Sequence, residues 1–109
     1  MSPQATLAEM NDLLRTSFMT GRVLITQGIQ MLPDDLRAEV LARVRAFQDF
    51  SPDNDPRGEH DFGAMKIDGV GTVFFKIDYY DRTMSFGSDD PLDPTKTMRV
   101  LTIMLAREW

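Results

Sequence analysis

The chain has no cysteine, one histidine and one tryptophan in 109 residues. Without cysteine there is no disulfide framework, no thiol nucleophile and no thiolate metal site. A lone histidine, His60, removes most transition-metal centres, which usually draw on two or three His or Cys ligands. Positive charge is also scarce: 12 bases face 17 acids, a net charge of −5. That balance disfavours direct nucleic-acid binding, which needs a basic footprint, and is compatible with a basic protein partner. No apolar run reaches the roughly 18 residues a transmembrane helix needs, so no membrane association is expected. Residues 1–15 carry acids and no apolar stretch, unlike a signal peptide. These absences together lead to the expectation of a cytoplasmic protein. The length leads to that of a single domain over residues 1–109.

Apolar side chains are not scarce. They make up 42% of the chain, enough for a packed core, so disorder is not expected. The eight methionines read as gap-filling core rather than as a promiscuous groove. Residues 4–18 carry Leu7, Met10, Leu14 and Phe18 on one helical stripe, with Thr6 and Glu9 at capping-box spacing. Residues 22–27 read as a short edge strand, and Gly28 ends it. A helix is expected over 34–50, opened by Pro33 and acids and closed by arginines near its far end. Strands follow over 60–67 and 72–80, joined by a turn at Asp68–Gly71, with a third at 83–87. Asp93 and Pro94 look like the start of a last helix running to about 107, although Val100–Ile103 is rich in branched residues and suits a strand. The order implies an α+β fold, a small antiparallel sheet of three to four strands with about three helices packed on it.

The segment Asp53–Gly63 is the most polar and the most unusual. Asp53, Asp55 and Gly58 match part of a calcium-loop pattern, but Arg57 replaces a ligand and Ala64 stands where a bidentate Glu is required. A carboxylate-only magnesium site could draw on Asp55, Glu59, Asp61 and Asp78, but such acids more commonly cap turns and bond backbone amides. No metal ligand set and no cofactor motif are therefore assigned. Gly69-Val70-Gly71 lacks the spacing and setting of a phosphate loop.

His60 with Glu59 and Asp61 could serve acid–base chemistry. Strand alternation would turn His60 away from both neighbours, leaving Asp78 or Tyr80 across the hairpin as its partner. Lys76, Asp78 and Tyr80 share one face of the second strand, either a half-solvated sheet face or a recognition surface. Asp89 and Asp90 add a second acidic loop. The candidate binding residues are thus Asp53, Asp55, Arg57, Glu59, His60, Asp61, Lys76, Asp78, Tyr80, Asp89 and Asp90.

Three blocks go together. They are Asn11–Arg15 with Gly21–Val23, residues 54–63 with Lys76–Asp81, and Asp90-Pro91 with Asp93-Pro94 and Thr97–Leu105. In these blocks the chain resembles, over nearly its whole length, a small bacterial family of unknown function, the one numbered 3768. It departs at Phe74-Phe75, where Phe-Trp is the expectation. The resemblance brings no catalytic residues with it. It implies a proteobacterial protein often carried on mobile elements, and hence a role in defeating host defence.

Two functions follow as expectations. The first is a small acidic interaction protein, more a binder than an enzyme, that blocks a nucleic-acid-binding defence complex in the manner of an anti-CRISPR or antirestriction inhibitor. The alternative is a small hydrolase, magnesium-dependent or built on His60, Glu59, Asp61 and Asp78. A homodimer seam along the last helix with Trp109 is a third possibility.

Overall fold

The computed structural model describes residues 5–109; residue 4, the expected start of the first helix, lies outside them. The first helix, α1, is Leu7–Ser17. Its capping box is formed: Thr6 Oγ1 accepts from Glu9 N at 3.1 Å, and Glu9 Oε1 accepts from Thr6 N at 3.2 Å. Phe18 ends it in a left-handed conformation, donating its amide to Leu14 O. After β1, Arg22–Ile25, comes a single turn, α2, Gln27–Gln30, which the sequence did not signal. Helix α3 is Asp34–Ala46. It stops four residues before the expected end, because Phe47 turns extended and packs edge-on against Phe50 and Phe75, at 5.1 and 5.2 Å.

Strands β2, Phe62–Ile67, and β3, Gly71–Tyr80, form the expected hairpin, with left-handed glycines at 69 and 71 supporting the turn. Strand β4 is Met98–Leu105, and a short 3₁₀ turn, Ala106–Glu108, follows. The sheet order is β1-β4-β3-β2. It is antiparallel through β4, β3 and β2, while β1 runs parallel to β4 at the edge. The architecture is α+β as expected, with a mixed rather than purely antiparallel sheet.

Two expected elements do not form. The last helix is β4, an interior strand buried almost along its length. Asp93, read as a helix cap, instead closes a tight turn: its Oδ1 accepts from Thr95 N at 2.9 Å and Thr95 Oγ1 at 2.6 Å. The homodimer seam proposed for that helix therefore has no helix to sit on. The strand over 83–87 is a loop wound on Asp81, whose Oδ1 accepts from Thr83 N, Thr83 Oγ1 and Ser85 N. Among the described residues a single isolated β-bridge, Tyr80 to Gly87, joins that loop to the sheet, with Ser88 N donating to Tyr79 O at 3.0 Å.

Period-two alternation divides the sheet into two faces. Val73, Phe75 and Ile77 of β3 join Leu14 of α1, Ile29 of α2 and Val40 and Val44 of α3 in the core. Thr72, Phe74, Lys76, Asp78 and Tyr80 point to the other face and stay partly exposed. The helices thus cover one side of the sheet. Met65 and Met104 are buried as expected of core methionines, whereas Met19 and Met31 are 85% and 75% exposed. Among the described residues no helix is long and apolar enough to cross a membrane.

Candidate functional site

The polar loop is held by its own acids. Asp55, 7% exposed, accepts from Glu59 N at Oδ1 and from His60 N at Oδ2, each at 3.2 Å. Two left-handed residues, Gly58 and His60, make the sharp bend that brings those amides back to Asp55. The bend means that β2 starts at Phe62, and His60 is not a strand residue. The expected alternation around it therefore does not apply.

The bend turns the His60 ring inward. The ring stacks on Phe50, centroids 3.9 Å apart and planes 5° apart. Its Nδ1 lies 3.0 Å from both carboxylate oxygens of Asp12 on α1. Its Nε2 is 3.7 Å from Asp55 Oδ2. Asp12 also accepts from Arg15 Nη2 at 3.0 Å. The buried Arg15 donates Nη1 to the carbonyls of Val44 and Arg45, at 3.0 and 3.2 Å, in the last turn of α3. A cation on these late carbonyls is favoured by the helix dipole. Arg15 Nε is a buried atom left without a partner among the described residues.

A second cluster adjoins the first. Asn11, wholly buried, donates Nδ2 to Glu59 O at 3.0 Å and to Tyr79 Oη at 2.7 Å. Its Oδ1 accepts from Arg99 Nε at 3.0 Å. The Tyr79 hydroxyl donates to Glu59 Oε2 at 3.3 Å. Burial, then the nearby charges of Glu59 and Asp61, push the Tyr79 pKa up to about 12, against the hydrogen bond from Asn11 and the charge of Arg99. Burial also lowers the Arg99 pKa. Arg99 Nη2 donates to Pro91 O, which ties the 88–94 loop to the same cluster.

The structure therefore gathers Asp55, Glu59 and His60 of the expected site and joins them to Asn11, Asp12, Arg15, Tyr79 and Arg99. It separates the others. Lys76 and Asp78 pair with each other at 3.0 Å on the helix-free face, with Tyr80 beside them. Asp78 and Tyr80 are thus on the wrong side of the sheet to orient His60; Asp12 does so. Among the described residues no three His, Asp or Glu side chains converge to hold a metal ion. Asp55, Glu59, Asp61 and Asp78 do not meet. Asp53, Arg57, Asp89 and Asp90 are exposed. Their two loops approach where Arg57, Gly58 and Glu59 line a shallow groove with Leu92. Asp61 is half-buried, and its carbonyl accepts from Ile77 N.

The residues that sequence reasoning missed had a faint signal. Asn11 and Arg15 are one helical turn apart, beside the apolar stripe, where polar side chains are unusual unless satisfied. The cleft over His60 is lined by Asp12, Arg15, Thr16, Phe47, Gln48 and Phe50. Its ionisable groups bond one another, and the hydroxyl of Thr16 is spent on Asp12 O at 2.7 Å. The arrangement fastens α1 and α3 to the loop.

Residues 25–108 match the model of a family described as Protein of unknown function (DUF3768). No curated protein and no solved structure matches the chain.

Proposed function

The chain belongs to the DUF3768 family, and we propose that it acts as a binding protein that occupies and blocks the surface of a partner. The observation carrying this reading is the helix-free face of the sheet. Trp109 is 69% exposed there, yet its ring is held edge-on to Phe62 and Phe74 at 5.5 and 5.7 Å. Tyr80, Lys76 and Asp78 continue the face. Contiguous exposed apolar surface marks interaction sites, and Trp and Tyr supply much of the energy of such contacts. Fixed rings lose little freedom on binding.

The partner class follows from charge. A net charge of −5, with Asp53, Asp89 and Asp90 exposed, favours a basic partner. A nucleic-acid-handling defence complex of the host presents such a surface, and we take it as the target. This function needs no cofactor. The hydrolase alternative lacks supporting geometry, because His60 and Glu59 are engaged within the fold and Asp78 stands across the sheet.

Tagged protein is used to capture complexes from a host lysate with active defence systems, read by mass spectrometry. One stoichiometric nucleic-acid-handling complex is expected, and Trp109→Ala should lose it while remaining folded. Recovery of the protein alone, or undiminished capture by Trp109→Ala, would overturn the reading.

A further inference from the structure

A second surface lies where the C-terminal end of α1 and residues 19–22 meet the start of β4. It is a groove of about 580 Å³. Its apolar wall is Met10, Leu13, Met19 and Met98, with Leu13 55% and Met19 85% exposed. Arg22 and Arg82 stand at its rim. We infer that this groove receives a short acidic amphipathic segment of a partner protein, an apolar side chain entering between the methionines with carboxylates on Arg22 and Arg82.

Three observations carry the inference. First, the floor is built and its polar groups are already satisfied. Gly21 lets the chain lie against β4, since a Cβ there would come within 2.6 Å of Arg99 O. Arg99 bonds Asn11, and the Thr97 hydroxyl donates to Asp90 O at 2.7 Å. Second, the two rim arginines are exposed, and neither has a side-chain hydrogen bond or ion pair among the described residues. The carboxylate beside Arg82 in sequence, Asp81, turns its Oδ1 to Thr83 and Ser85 and forms no ion pair with Arg82. Two free guanidinium groups form a positive spot on an acidic molecule, and guanidinium matches carboxylate geometry with paired hydrogen bonds. Third, methionine is the residue type that moulds to varied apolar anchors, so the wall accommodates a segment without a rigid pocket. The other side of α1 carries Asn11, Asp12 and Arg15 into the clusters around His60, so the helix presenting Met10 and Leu13 is fixed from behind.

The probe is a synthetic helical peptide with two leucines one turn apart, flanked by glutamates. A second peptide carries lysines in place of the glutamates. Binding is read from the methyl resonances of the protein labelled at its methionine Cε atoms. Signals of Met10, Met19 and Met98 should shift with the glutamate peptide and stay put with the lysine peptide. The double variant Arg22→Glu, Arg82→Glu should bind the glutamate peptide at least about tenfold more weakly and gain binding to the lysine peptide. Leu13→Asp, at an exposed position, should weaken binding with the fold intact. Trp109→Ala should bind the peptide like the wild type, which separates this site from the sheet face. Unmoved methionine signals, equal binding of both peptides, or loss of binding in Trp109→Ala would overturn the inference.

Discussion

Asp55 and Asp53 differ by two positions and have opposite roles. Asp53 is exposed, whereas both oxygens of the buried Asp55 accept backbone amides. Removing a buried acceptor leaves its donors unsatisfied, at about 1–3 kcal/mol, while an exposed polar side chain contributes within about 0.5 kcal/mol. Asp55→Ala is therefore expected to lower the unfolding free energy by about 2 kcal/mol in urea titration, and Asp53→Ala to leave it nearly unchanged. Equal effects would mean that the loop is held by something other than Asp55. Turn-capping acids were legible as a residue type, because Asp bonds nearby backbone amides. The partners of His60 were not, since Asp12 is 48 positions away and the left-handed bend at His60 sets the ring's direction.

At the scale of elements, local sequence signals hold where they act locally. The capping box of α1, the proline and acids opening α3, and the hairpin turn all form as expected. They failed where tertiary pairing overrides them. Asp93 and Pro94 suit a helix start equally well as a turn, and Met98–Leu105 becomes a strand because β1 and β3 flank it. The end of that strand is tied down by Glu108, whose carboxylate accepts from Thr26 Oγ1 at 2.6 Å, Gly28 N at 2.9 Å and Leu105 N at 3.0 Å. A Cβ at Gly28 would come within 2.6 Å of the Glu108 carboxylate and of Leu105 Cδ1, so a larger residue there would have to push both side-chain ends aside. These hydrogen bonds, that from Thr26 foremost, hold the Glu108 pKa below its ordinary 4.5. A depressed carboxylate pKa stabilises the fold above the unfolded-state value, and that stability is lost as pH falls through the folded-state value. Glu108→Gln should therefore lower the Tm at neutral pH, with the difference from wild type closing below about pH 4.5. Calorimetric scans across the acid range test this; a difference independent of pH would show that the carboxylate's charge is not what matters.

For the whole molecule, the proposed binding function divides its work between the sheet and the charge. Contacts at the aromatic face form only after docking, so they govern how long a complex lasts. In that proposal the exposed acids act through space before docking and govern how fast the complex forms. Reversing Asp53, Asp89 and Asp90 to lysine, two units each, takes the net charge from −5 to +1. Screening over about 8 Å at physiological salt already weakens such steering, so low salt should magnify the difference. With the captured complex immobilised, the triple variant should associate roughly tenfold more slowly at low ionic strength and lose most of its salt dependence. Trp109→Ala should associate at the wild-type rate and dissociate roughly thirtyfold faster, the effect of losing a central aromatic anchor. If the reversals changed only dissociation, the acids would be contact residues rather than steering ones. If Trp109→Ala changed only association, the open sheet face would not be the interface.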